Sequence, residues 1–224
     1  MAEGVGSPFL SDRPARTVRP EAGSGPLGRV AAAAAFALLL PVTGLAAALI
    51  WLMLGPPVLF RQRRSGLGGR TFTLVKLRTM SDRRDGSGVP LPDCQRLNAF
   101  GRTMRRSRLD EVPQLLSIAR GEMSWIGPRP LLPQTVAAMG ERGRMRGLVP
   151  PGLTGWAQVN GNTLLSGEEK TALDLWYAHH ASARLDLAIL FLTAATVLRG
   201  ERRHETRIAE ALAFLRRLDG AGPQ

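Results

Sequence analysis

From Val30 to Phe60 the chain carries no charged side chain, and no other feature restricts its folding so strongly. About 20 consecutive apolar residues suffice to cross the hydrocarbon core of a bilayer, so this run belongs in a membrane. A secretory signal peptide has an apolar region of only about 7–15 residues. This run is longer and its preceding tail is long as well, which sets that reading aside. Occupying a bilayer does not require crossing it. Pro41 and Gly44 fall near the middle of the run, where proline removes a backbone donor and kinks a helix. Arg13, Arg16, Arg19 and Arg29 precede the run, and Arg61, Arg63, Arg64 and Arg70 follow it. Arginine favours the cytoplasmic side, and here it does so at both ends. A helix broken at Pro41 that enters and leaves by one face satisfies both flanks. A straight span with a tolerated proline is the commoner use of membrane proline, and these residues alone leave both open.

The rest of the chain reads as shorter elements. Residues 1–26, rich in Gly, Pro, Ser and Arg, have no hydrophobic periodicity and read as a flexible tail. Arg70 to Met80 alternates like a strand, and 81–95 is a polar loop. A helix is predicted over Gln95–Arg106. A second begins near Asp110, with Pro113 in its first turn and Gly121 at its end. Residues 127–133 and 150–162 are Pro/Gly-rich loops of the kind that present backbone to a ligand. Residues 168–180 form an amphipathic helix. Leu185–Leu198 is apolar but too short to span, so it packs in the core or lies at the interface. Ile208, Leu212, Leu215 and Leu218 share one face of a last, basic helix.

The net charge of +12 calls for a polyanionic partner. Nucleic acid, anionic headgroups and phosphorylated substrates all qualify. Basic residues are nearly all arginine, with lysine only at Lys76 and Lys170. Arginine suits planar, bidentate phosphate contacts, although genomic base composition explains such a skew as readily. The single cysteine, Cys94, excludes an internal disulfide and a Cys-rich metal site. His179, His180 and His204 are too few and too poorly spaced for zinc. A metal here would take oxygen ligands, which points to magnesium.

Four stretches carry candidate chemistry. In Leu109-Asp110-Glu111-Val112-Pro113-Gln114, two adjacent carboxylates at a helix start are commonly a cap with dipole-compatible charge. Arg102, Arg105, Arg106 and Arg108 crowd them, and a helix N-terminus would hold Asp110 ionised. Ionised carboxylates act as nucleophiles toward phosphorus and hold magnesium. In Gly127-Pro128-Arg129-Pro130 the prolines fix the loop and aim Arg129, which suits a guanidinium clamp on a diphosphate; a rigid turn with an exposed arginine is the plainer account. The closely spaced glycines from Pro151 to Gly161 let backbone approach a ligand, and Trp156 can stack. Asp174 and Asp186 place carboxylates beside apolar helices, where a salt bridge or a cap is the ordinary explanation.

In this order and spacing the stretches resemble the bacterial sugar transferase family, the monotopic phosphoglycosyl transferases that start glycan assembly on undecaprenyl phosphate. The resemblance runs from the apolar segment to about Leu198. It includes Phe60-Arg61-Gln62, Lys76-Leu77-Arg78-Thr79-Met80, Gly101 with Arg105, LDEVPQ, GPRP, PGLTGWAQVNG and the set Asp174, Tyr177 and Asp186. It implies an α/β, mostly helical protein with a re-entrant helix-break-helix in the membrane and a small catalytic domain on the cytoplasmic face. The expected divisions are a tail over 1–26, the membrane segment 27–60, the catalytic region 61–200, and a C-terminal helix and tail over 201–224. The resemblance makes Asp110 the nucleophile and Glu111 the magnesium ligand. Lys76, Arg78, Arg105, Arg129, Asp174 and Asp186 then become candidate substrate-binding residues. It implies a UDP-sugar donor, a polyprenyl phosphate acceptor and membrane lipid as partners, with no nucleic acid. Three departures stand out: only Arg29 remains of the usual basic entry, Leu40 replaces a frequent Ser before Pro41, and Arg108 replaces a frequent Ser before Leu109. The competing class is a membrane-tethered basic protein that binds nucleic acid or anionic lipid without catalysis, which offers no reason for the Asp-Glu pair or the two loops.

Overall fold

The computed structural model describes residues 24–220. The expected tail therefore lies almost wholly outside the described residues. The apolar run forms one helix, α1 (Pro26–Leu54), started by proline in its first turn and stopped at Gly55, whose φ is +70°. Helices dominate the remainder. A hairpin of β1 (Leu59–Ser65) and β2 (Thr71–Leu77) leads to α2 (Asp93–Arg96) and α3 (Ala99–Arg106). A 3-10 turn, Leu109–Gln114, runs into α4 (Leu115–Ala119), followed by β3 (Ser124–Ile126), α5 (Pro133–Ala138) and α6 (Glu141–Arg146). Then come β4 (Gly152–Thr154), α7 (Trp156–Val159), α8 (Gly167–His180), α9 (Ala183–Arg199) and α10 (Glu205–Gly220).

Three expectations need correction here. The apolar segment was expected to reach Phe60, but the helix ends at Leu54, and Leu59 and Phe60 pair with Leu77 and Lys76 in the hairpin. An uncharged strand end simply extends the uncharged run. The helix expected over Gln95–Arg106 is two pieces, because Leu97 adopts an extended conformation and Asn98 caps α3 through Gly101 N at 2.8 Å. Finally, the amphipathic helix expected over 168–180 is α8, but its middle is buried on every side and not on one face. Ala172 through Ala178 are all buried, and its Ser166–Glu169 capping box fixes the start.

At Pro41 the helix continues rather than unwinds, with the Thr43 hydroxyl donating to Leu39 O at 2.8 Å beside the missing amide. Such back-bonding bends a helix without breaking it. One edge of α1 packs on the domain throughout its length. Ala32 joins Phe72, Leu74, Ile118 and Met123, and farther along Ala46 and Ile50 join Leu77 and Met104. Polar bonds hold both ends. Trp125 Nε1 donates to Gly28 O at 3.0 Å, and Arg78 Nη2 donates to Leu54 O at 2.6 Å. The opposite side leaves Leu38, Leu45, Trp51 and Leu52 exposed. Among the described residues this is the one helix long and apolar enough to cross a membrane.

A third core lies around α8, which is covered by α6, α7 and α10, with Leu185 and Ile189 of α9 joining it. Of α9 only Leu185 and Ile189 are buried, while Leu187, Leu190, Phe191 and Leu198 face outward, as an interfacial helix requires. Strands β3 and β4 pair in parallel, Ser124 with Gly152 and Ile126 with Thr154, and so bring the two Pro/Gly loops side by side. The glycines make this contact possible. A Cβ on Gly152 would sit 2.1 Å from Gly127 N, and one on Gly155 2.1 Å from Gly127 O. Gly127, Gly152 and Gly155 thus let backbone meet backbone.

Candidate active site

The end of β2, the 3-10 turn, the loop after β3, and helices α3, α6 and α8 wall an open cleft of about 1290 Å³. Lys76, Arg78, Arg105, Asp110, Glu111, Arg129 and Asp174 all line it. Asp186 does not: it sits in the first turn of α9 and accepts a 2.8 Å hydrogen bond from the Tyr177 hydroxyl. Its place is in the packing of α9 on α8.

The dyad owes its position to Arg108. This residue adopts the left-handed conformation (φ 59°, ψ 13°), which costs a non-glycine residue about 1–2 kcal/mol. The reversal turns the chain inward, so Asp110 through Gln114 are all buried. Met104 and Leu109 pack on the same patch as α1, which anchors the turn to that helix.

Within the turn the two carboxylates have opposite surroundings. Glu111 Oε1 receives Lys76 Nζ at 2.8 Å and Arg129 Nη2 at 2.7 Å, and Oε2 receives Arg108 Nη1 at 3.2 Å. Burial pushes the Glu111 pKa up, but Arg129, Lys76 and Arg108 outweigh it and bring it down to about 2. Among the described residues no donor reaches the Asp110 carboxylate, which is 6% exposed. Burial raises its pKa and the neighbouring Glu111 charge adds to this, with Lys76, Arg105 and Arg129 opposing only in part. A helix N-terminus was expected to hold Asp110 firmly ionised. The 3-10 turn supplies no such amides to the side chain, so desolvation decides the direction.

The remaining candidates take supporting places. Arg105 Nε donates to Thr79 Oγ1 at 2.9 Å, beneath Gly101, where an added Cβ would meet Thr79 O at 2.1 Å. Arg78 spends its donors on Leu54 O, Gly55 O and Asp82, clasping the end of α1 to the cleft floor. Asp174, within α8, pairs with Arg146 of α6, Nε to Oδ2 at 2.8 Å. Burial pushes the Asp174 pKa up, and Arg146 opposes it. Arg146 also donates to the Arg129 carbonyl. Two residues here escaped sequence reasoning. Arg108 entered only as one of the arginines crowding the pair and as a departure, although it is the third cation on Glu111. Arg146 is the last of three alternating arginines, Arg142, Arg144 and Arg146, and only its burial distinguishes it.

A metal caged by protein alone has no candidate, since no group of three His, Cys, Asp or Glu side chains converges among the described residues. Magnesium is usually bound through one or two carboxylates together with substrate phosphates. Asp110 and Glu111 are adjacent oxygen donors at one cleft wall: Asp110 offers uncommitted oxygens for that mode, whereas Glu111 would have to share its oxygens with Lys76, Arg129 and Arg108.

The model of the family described as "Bacterial sugar transferase" matches residues 26–200. The uncharacterized sugar transferase EpsL of Bacillus subtilis is 46% identical over 167 residues, 75% of this chain and 83% of the relative. The UDP-glucose:undecaprenyl-phosphate glucose-1-phosphate transferase of Caulobacter vibrioides is 37% identical, with 81% of this chain and 75% of the relative covered. An enzyme with that same name from Xanthomonas campestris pv. campestris is 40% identical over 63% of this chain, which spans 32% of its length. With most of its length matched, the long apolar helix and the cleft included, this chain belongs to the bacterial sugar transferase family.

Proposed function

We propose that the protein transfers a sugar phosphate from a UDP-sugar to polyprenyl phosphate, releasing UMP, through a covalent intermediate on Asp110. One observation carries the reading: a buried carboxylate that accepts no hydrogen bond from any described residue stands in a cleft walled by Lys76, Arg105 and Arg129. A carboxylate so placed keeps its lone pairs for attack. Asp110 attacks the β-phosphorus, the bond from phosphorus to the bridging oxygen breaks, and UMP leaves with that electron pair. An oxygen of polyprenyl phosphate then attacks the aspartyl phosphate, and the phosphorus–Asp110 bond breaks to restore the carboxylate. Arg129 and Lys76 neutralise the phosphate oxygens, the largest contribution in phosphoryl transfer. Glu111, with Asp110 beside it, would hold magnesium, which supplies further neutralisation of those oxygens. The relatives named above as UDP-glucose:undecaprenyl-phosphate glucose-1-phosphate transferases support this class of donor and acceptor. Because the nucleophile is the protein, UMP should appear from UDP-sugar before any lipid is added, up to one equivalent of enzyme. UMP release that strictly requires polyprenyl phosphate would instead point to direct attack by the lipid.

The same reading places the domain on the cytoplasmic face of the bacterial inner membrane, with both ends of α1 on that face, although the helix is not broken at Pro41 as the resemblance implied. Its support is that one domain grips both ends of α1, at Gly28 and at Leu54, and packs along the helix between them. A perpendicular span would carry one end about 40 Å away from a domain at the other. In a Cys94→Ser background, cysteines at Ser11 and Ser87 should therefore both react with a thiol reagent from the cytoplasmic side only. Labelling from opposite sides would remove the re-entrant arrangement.

A further inference from the structure

Arg129 reaches Glu111 from a loop whose backbone is pinned on either side, Pro128 O accepting from Gly152 N at 3.0 Å and Leu131 O from Ser65 N at 2.9 Å. The carbonyl of Arg129 itself is held by a side chain. Arg146, 6% exposed, donates from Nη2 to Arg129 O and from Nε to Asp174 Oδ2 at 2.8 Å. Asp174 sits within the stretch of α8 that is buried on every side. Its second oxygen, Oδ1, is sealed from solvent without a partner, so neither oxygen is offered to a ligand.

We propose that Arg146 is a positioning residue that braces Arg129 against core helix α8, and that Asp174 acts only through it. The bracing runs from the α8 backbone through Asp174 and the Arg146 fork to the Arg129 carbonyl, and ends at the Arg129 guanidinium on Glu111. Two acceptors on separate elements require a planar fork. Lysine, a single point charge, keeps the pair with Asp174 and lets go of the loop. The reason for arginine at 146 is thus the second acceptor and not the charge. This inference rests on the reading of Arg129 as a diphosphate clamp.

The test is a double-mutant cycle on the detergent-solubilised full chain, with UDP as the probe, calorimetric affinity as the readout and melting temperature measured alongside. Arg146→Lys should keep the melting temperature within a few degrees and weaken UDP about tenfold, the loss of one charge-assisted hydrogen bond to the loop. In turnover the same variant should raise KM for the donor more than it lowers kcat. Arg129→Ala should weaken UDP at least as much, and adding Arg146→Lys to it should cost nothing further. Wild-type affinity in Arg146→Lys, or full additivity of the two changes, would overturn the bracing role. Should Arg146→Lys not fold, Asp174→Asn keeps the side-chain shape, weakens the pair and is expected to show the same non-additivity with Arg129→Ala. A wild-type chain that does not bind UDP at all would strike at the nucleotide-sugar reading, and the inference would fall with it.

Discussion

Asp110→Asn should abolish both UMP release and sugar label on the protein, a loss on the order of 10⁴-fold or more. The amide keeps the size of the carboxylate but has no nucleophilic lone pair to place on phosphorus. With enzyme in excess over labelled donor, the wild type should retain label that leaves when polyprenyl phosphate arrives, and the variant should retain none. The variant should also be the more stable protein. A raised pKa means that ionised Asp110 costs stability at neutral pH, a cost that vanishes as pH falls below its ordinary value of 3.8. Asparagine removes that charge at every pH, so the melting temperature should rise by about 2–4 °C per kcal/mol relieved. In the wild type, turnover depends on the ionised form. Its acid limb should therefore lie at a higher pH than an ordinary aspartate would give. Residual UMP release in Asp110→Asn would move the nucleophile elsewhere, and a lowered melting temperature would mean that desolvation does not govern this side chain.

The contrast between Asp110 and Glu111 was not legible in the sequence, and the reason is physical. Adjacent residues in a helix start look equivalent to any pattern, yet the 3-10 geometry sends one side chain toward three cations and leaves the other bare. Only the cross-chain approach of Lys76 and Arg129, 35 and 18 residues away, decides which is which. The motifs themselves were legible because glycine and proline punctuate them, and the expected stop at Gly121 is seen at φ +80°. What those glycines meet was not legible: spacing reveals that backbone comes close, and not what it comes close to. Likewise the apolar run announced the long apolar helix but not its end, since Leu59 and Phe60 extend the uncharged run from within a strand. Asp174 illustrates a third limit. Its pairing with Arg146 joins α6 to α8 across 28 residues, with no periodicity to betray it.

Glu111→Gln should collapse turnover by about 10²–10³-fold, the cost of removing one preorganised charge from a phosphoryl-transfer site, and should blunt the response to magnesium. The physical loss is larger than one ligand. Glutamine has a single acceptor oxygen, so either Arg108 or the Lys76–Arg129 pair must face an amide N–H, and three cations lose their common counter-charge. Stability reports this independently of activity. A pKa lowered from 4.5 to about 2 gives a contribution that is present above 4.5 and lost as pH falls through 2. The shift corresponds to about 3 kcal/mol at most, and less after allowing for the part-exposed Arg108 and Arg129, whose attraction water screens. Thermal melts of wild type from pH 7 down to pH 2 should show this loss, while Glu111→Gln should start lower at neutral pH and change less across the same window. A variant with near-normal turnover, unchanged magnesium response and a parallel melting curve would reduce Glu111 to a buried charge that merely fills its place. The opposite result would show that the three cations awaiting the diphosphate are held in position, before it arrives, by the carboxylate beside the nucleophile.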